Sequence, residues 1–231
     1  MIPWLTAPGA FPAVGQALDE PNGLLCAGGD LSVSSIVAAY SRGVFPWFND
    51  DQPILWWSPD PRMVLFPEEF KVSKSLAKTL RGEKFEVRFD SAFDQVIEGC
   101  ATPRREGGGT WIVGEMQQAY SALHRQGIAH CAESWRDGQL VGGLYGVALG
   151  RVFFGESMFT RETDASKVAF AHLMGKLKRD GFLLIDCQQE TRHLASFGAR
   201  PITRREFVRR LGELINSGAT TSVWSKPNVE T

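Results

Sequence analysis

Several features are missing from this chain, and each absence removes a class of function. Cysteine is scarce, with four in 231 residues. Cys26, Cys100, Cys131 and Cys187 are too scattered for a C-x-x-C pair, a zinc ribbon or a disulfide framework, so buried free thiols are expected. Histidine is equally rare, at four residues. His124, His130, His172 and His193 form no H-E-x-x-H and no ligand spacing, which points to surface or capping roles and to no metal. No G-x-S-x-G elbow and no Walker loop is present. The opening MIPWLTAPGAFPAVGQ has no basic segment ahead of an apolar run, and no stretch is long and apolar enough to span a bilayer. A cytoplasmic, monomeric protein without a membrane partner is expected. An excess of positive charge is lacking too: the formal net charge is −1, so any contact with RNA must be local.

What is present divides near Asp60. Residues 1–60 are rich in Pro, Gly and Trp and predict a small N-terminal α/β lobe with a helix over Val33–Arg42, capped by Ser32, stapled by Leu31 and Ile36 and closed by Gly43. The run PILWWSPDPR stops at two X-Pro steps, which sets the boundary. Residues 61–231 predict a second domain. Its pattern gives a strand at Phe85–Phe89, helices at Ala92–Ala101 and Glu115–Gln126 joined through RREGGGTW, and strands at Ala129–Arg136, Gln139–Leu149 and Arg151–Phe159. A hairpin turn is expected at Asp137-Gly138. A helix over Asp164–Asp180 leads to the near-apolar FLLIDCQ, which reads as a buried strand parallel to a neighbour. Helices at Thr191–Ser196 and Arg204–Asn216 follow. This order predicts an α+β fold like that of the N-acetyltransferases (GNAT-like), an analogy that says acyl transfer only weakly.

An acetyl-CoA-dependent protein of that fold needs a Gly-rich amide cradle where the fourth strand meets the long helix. That junction here reads GESMFTRETDASK, without a glycine after Gly155, and QLVGGL from Gln139 fails the pattern and sits inside a strand. No cofactor is indicated. Polar residues inside apolar strands stand out instead. Asp186 and Gln188 are two apart in FLLIDCQ, and Glu156 interrupts VFFGESMF. A carboxylate there is costly unless it is paired or used. Satisfaction of Asp186 by backbone or by an arginine, and use in a reaction, both remain open. If Ser73 caps a helix, Lys74, Lys78 and Arg81 form one positive stripe, flanked by Lys71 and Lys84. Arg204, Arg205, Arg209 and Arg210 make a second cluster. Trp47, Trp56, Trp57 and Trp111 are core material or planes for a base to stack on.

The strings EPNGLLCAGGDLS, GVFPWF, PILWWSPDPR, VIEGCA, GTWI, LVGGLYGVALG, FFGESMF, ASK and LIDCQ, in this order, closely resemble the leucyl/phenylalanyl-tRNA–protein transferase family from about Glu20 to Pro201. The resemblance implies transfer of Leu, Phe or, less well, Met from aminoacyl-tRNA to acceptor proteins beginning with Arg or Lys, in N-end rule degradation. It also implies a small domain on a GNAT-like domain with no metal or CoA. By motif, Trp47 and Trp111 are to sandwich the terminal adenosine of tRNA, with Tyr120 nearby. Glu156, Asp186 and Gln188 are to surround the ester and the attacking amine. Leu144, Phe153, Phe170, Leu173, Leu177 and Ile185 are candidates for the side-chain pocket. Leu144 stands where the family pattern has Met, a near volume-conserving change.

Two other activities fit the same features: a tRNA-dependent transferase building cell-wall bridges, and a non-catalytic adaptor for N-terminal Arg or Lys. For the transferase reading, Asp186 is expected to orient and help deprotonate the amine through Gln188 or a water, with Glu156 holding an ammonium group. A relay through the 2′-hydroxyl of the adenosine is the alternative. Lys74, Lys78 and Arg81 are expected on tRNA phosphates. Strict alternation turns Cys187 away from the site and sets Phe153 and Glu156 on opposite faces. A β-bulge near Gly155 would bring Phe153 and Glu156 together.

Overall fold

The computed structural model describes residues 2–102 and 112–216. Near the amino end, strands β1 (Trp4–Leu5), β2 (Leu24–Gly28), β3 (Phe45–Pro46) and β4 (Leu55–Trp57) form a sheet in the order β1-β2-β4-β3. Helix α1 (Val33–Tyr40) lies between β2 and β3, and the Ser32 hydroxyl accepts from the Ser35 amide as its N-cap. Gly43 follows at φ +77°, in the left-handed region a side chain rarely enters. The expected cap and stop therefore both form.

The larger sheet holds seven strands in the order β11-β5-β10-β9-β8-β7-β6. Its members are β5 (Arg62–Leu65), β6 (Glu86–Phe89), β7 (Ala129–Arg136), β8 (Gln139–Leu149), β9 (Val152–Thr160), β10 (Leu184–Gln188) and β11 (Arg200–Ile202). The helices are α2 (Lys74–Arg81), α3 (Phe93–Ala101), α4 (Gly114–Arg125), α5 (Ala165–Arg179), α6 (Arg192–Ser196) and α7 (Arg204–Ile215). Strands β6 to β9 are antiparallel, and β10 pairs parallel with β9. Asp137 and Gly138 both take positive φ, 50° and 74°, as a tight hairpin turn requires.

From β6 to β10 the order is strand, two helices, three antiparallel strands, helix, parallel strand. The fold is thus α+β and GNAT-like. Strands β5 and β11 extend it past β10, an addition the sequence pattern did not reveal. One face of the large sheet packs on α3 and α4 through Phe93, Val96, Met116, Tyr120 and Leu123, and the small lobe joins this core through Ile36, Tyr40 and Phe45. The other face packs on α5 through Val168, Phe170, Leu173 and Leu177. Gly142 lets α5 approach, since a Cβ there would lie 2.6 Å from that of Ala165.

Candidate active site

Two irregular strands meet at the centre of the large sheet. Along β8 and β9, Gly146 faces Gly155 but Tyr145 faces Ser157, so Glu156 is an extra residue on β9. Gly146 permits this bulge, because a Cβ there would fall 2.2 Å from the carbonyl oxygen of Phe154. Phe153 and Glu156 consequently line the same cleft. The expected bulge lies where the conflict of faces demanded it.

A second irregularity falls in β10: Asp186 faces Val64 and Gln188 faces Met63, with Cys187 between them. Gln188 has φ 60°. Here strict alternation misled, for Cys187 lines the cleft together with Asp186 and Gln188. It is still a poor nucleophile. Burial, reinforced by the negative charge of Asp186, pushes its thiol well above the ordinary range, so little thiolate forms.

Asp186 is fully buried, at 0% exposure, and so is its partner Arg62, at 1%. Arg62 donates from Nε to Oδ1 at 2.8 Å and from Nη2 to Oδ2 at 2.7 Å, and its Nη1 donates to the carbonyl of Gly43 at 3.2 Å. The guanidinium lies between the rings of Phe45 and Phe207, at 4.8 and 4.6 Å. The Gln188 amide donates to Oδ1 of Asp186 at 2.9 Å. Every strong group of this pair is satisfied, which is the condition for burying it. Of the two readings left open for Asp186, an arginine partner is the one the structure supplies.

Gln188 in turn donates from Nε2 to Oε1 of Glu156 at 3.1 Å. The same carboxyl receives the hydroxyl of Tyr40 on Oε1 at 2.7 Å and that of Tyr120 on Oε2 at 2.9 Å, while the two hydroxyls lie 2.6 Å apart. Three oxygen–oxygen contacts are made and the tyrosines own two hydrogens, so a proton on Glu156 fills the third when Tyr120 turns to donate to Tyr40 and accepts from Oε2. The electrostatics agree: burial raises this carboxyl to about 7 against the pull of the tyrosine hydrogen bonds, with the Asp186 charge adding to the rise and Arg62 opposing it. Tyr40 belongs to the small lobe. Its signal in the sequence was only that of a core tyrosine.

The cleft has a volume of about 480 Å³. Of the residues expected in it, Trp47, Leu144, Phe153, Phe170, Ile185, Glu156, Asp186 and Gln188 are brought together, and Met158, His193 and Leu194 join them unforeseen. Tyr120 stands behind Glu156, wholly buried. Leu173 and Leu177 do not line the cleft. They follow Phe170 on the buried stripe of α5 and pack in the core beneath it. Trp47 is 40% exposed, set edge-on to Trp57 at 5.4 Å, and Trp57 Nε1 donates to its carbonyl at 2.7 Å. Trp111 lies outside the described residues.

The positive stripe forms as expected: Ser73 caps α2, accepting from the Leu76 amide at 3.2 Å, and Lys74, Lys78 and Arg81 are exposed. Lys84 is paired with Glu162 at 2.9 Å. The second cluster is largely spent, since Arg209 and Arg210 pair with Glu206, and Arg204 donates to the carbonyl of Ser58. The histidines also depart from expectation. His124 and His130, unpaired by spacing, are brought together with Asp90 by the α4–β7 turn and the β6–β7 pairing.

Fold and site together define a GNAT-like α+β protein with a bulged strand at a largely apolar cleft that a carboxyl and an amide also line. The chain belongs to the leucyl/phenylalanyl-tRNA–protein transferase family, and is an aminoacyltransferase. The family described as leucyl/phenylalanyl-tRNA protein transferase matches residues 64–212, and its N-terminal domain matches residues 29–60. A relative of that name from Nitrosospira multiformis is 62% identical over 216 residues, 94% of this chain and 93% of its own length. One from Aromatoleum aromaticum is 58% identical over 225 residues, 97% of this chain and 95% of its own. Among solved structures, a GCN5-related N-acetyltransferase from Kribbella flavida aligns with a TM-score of 0.36 at 11% identity, over 72% of this chain and 60% of that one, too distant to add to the fold read from element order.

Proposed function

We propose that this protein moves Leu, Phe and, less well, Met from aminoacyl-tRNA to proteins beginning with Arg or Lys, acting as a cytoplasmic monomer in N-end rule degradation. The observation that carries the reading is the cleft. Leu144, Phe153, Met158, Phe170 and Ile185 give an uncharged lining for an apolar side chain, and Glu156 and Gln188 line the same cleft. Trp47 offers a free face for the terminal adenosine. In this reading residues 1–60 form one domain, and residues 61–231 form the other.

The aminoacyl ester is already activated, so the acceptor amine attacks the carbonyl carbon directly. The C–O bond to the ribose breaks, and one amine proton passes to the departing 3′-oxygen through a protein group or the 2′-hydroxyl. The geometry supports a division of labour that differs from the one expected of the sequence. Both oxygens of Asp186 are held by Arg62 and the Gln188 amide, which suits positioning Gln188. Glu156, near 7, is matched to an amine proton at neutral pH. The test is incubation with leucyl-tRNA and a peptide beginning with Arg, followed by mass spectrometry. A gain of one leucine at the amino terminus is expected; no gain, or modification of an internal lysine, would refute the assignment.

A further inference from the structure

We infer that Asp90, His124 and His130 form a binding site for a divalent transition metal of the zinc class. One carboxylate oxygen of Asp90 and one ring nitrogen of each histidine lie within 4.8 Å of one another. The residues come from three elements: Asp90 just after β6, His124 in the last turn of α4, and His130 early in β7.

The hydrogen bonds around the cluster suit metal ligands. His124 Nδ1 lies 2.8 Å from the carbonyl of Ala129, and His130 Nε2 lies 3.1 Å from that of Gly127. A carbonyl can only accept, so each ring commits one N–H to the backbone. This is the outer support that metal-binding histidines ordinarily have. The opposite nitrogens, Nε2 of His124 and Nδ1 of His130, are the ones that would coordinate, the second in exchange for its present bond to Asp90. Nδ1 of His130 faces Oδ2 of Asp90 at 2.7 Å, where a proton now sits and a cation can take its place. Metal bonds of about 2.0–2.2 Å in tetrahedral geometry set ligand atoms about 3.3–3.6 Å apart, so that gap must widen by about 0.6–0.9 Å on binding. The ring of His124 is stacked on Phe93 at 4.2 Å and 5°, which fixes its plane.

Two imidazoles and a carboxylate, with a further position for water, suit Zn²⁺ or Co²⁺ and disfavour Mg²⁺ and Ca²⁺, which take oxygen ligands. His124 is one helical turn beyond Tyr120, whose hydroxyl holds Glu156. A bound ion would tie the end of α4 to the β6–β7 edge and brace that tyrosine.

The test uses the full chain, stripped with a chelator and titrated with zinc chloride by calorimetry. One zinc per chain is expected. His124→Gln and Asp90→Asn should each weaken binding by about tenfold or more, the loss that even an outer-shell change can cause. His172→Gln, on the exposed side of α5, should bind as the wild type does. Because either site variant could fold poorly, imidazole resonances of the wild-type chain give a second measurement. Those of His124 and His130 should move together on adding zinc, with His172 and His193 unmoved. No stoichiometric binding, equal binding by the site variants, or movement confined to His172, His193 or a cysteine-ligated cobalt spectrum would overturn the site.

Discussion

Glu156 is held by two tyrosines and a glutamine, and burial, working against the tyrosine hydrogen bonds, keeps its proton up to about 7. In the unfolded chain the proton leaves near 4.5. Between those values the native state binds more protons than the unfolded state, so this group's contribution to stability is full below that window and declines as pH rises through it. Transfer should run the other way, since the ionised form accepts the amine proton. Single-turnover transfer is therefore expected to rise with an inflection near 7 while the unfolding free energy falls. Glu156→Gln should abolish the inflection, flatten the stability slope and slow transfer by about 10²–10⁴-fold; an unchanged inflection would assign it to another group. Cys187→Ala should keep the rate, given its high thiol. Arg62→Met makes a different case. It leaves Asp186 buried and unpaired, for an expected loss of about 3–5 kcal/mol in urea unfolding, whereas Arg62→Met with Asp186→Leu should recover most of the stability and none of the transfer.

The long elements were legible because their periodicity and caps agreed. Helices α1, α3, α4, α5 and α7 and strands β7 to β9 lie within a residue or two of where the pattern put them. Strands β5 and β11, of four and three residues, were not legible, since so few positions carry no period. At the site, Glu156 and Gln188 announced themselves as polar residues in apolar strands. Arg62 gave no such signal, because β5 was not read as a strand, and only the pairing of β5 with β10 shows which carboxylate it answers. Tyr40 was hidden because a tyrosine on the apolar face of α1 is ordinary until its hydroxyl meets another element. The first bulge followed from a conflict of faces; the second was missed because no such conflict arose. This geometry can be tested at two glycines. Gly146→Ala would set a Cβ 2.2 Å from a carbonyl oxygen, and should cost about 1–3 kcal/mol and impair transfer. Gly155→Ala would meet nothing nearer than 3.6 Å, and its melting temperature should stay close to the wild type's.

Across the whole molecule, charge is nearly balanced at −1, yet its distribution is uneven. On α7, Arg209 is paired with Glu206 and Glu213 and Arg210 with Glu206, which removes most of the field that cluster would otherwise project. On α2, Lys74, Lys78 and Arg81 enter no ion pair among the described residues and stand exposed on one stripe. Helix α2 packs against α5, the helix that supplies Phe170 to the cleft, so the stripe belongs to the same face of the large sheet as the apolar pocket. A tRNA whose terminal residue enters the cleft can therefore lay its acceptor strand toward α2. Each phosphate neutralised releases counterions, worth about 0.7 to 0.9 in the slope of log affinity against log salt. Changing all three residues to Ala should lower that slope by about 2 to 3 and raise the Michaelis constant for leucyl-tRNA, most at low salt. The turnover at saturating leucyl-tRNA should hardly change, because none of the three residues lines the cleft. Arg209→Ala with Arg210→Ala is the matched control, and should leave the slope nearly where it was. If the control moves the slope and the α2 variant does not, the tRNA approaches over α7, and the ion pairs there open to receive it.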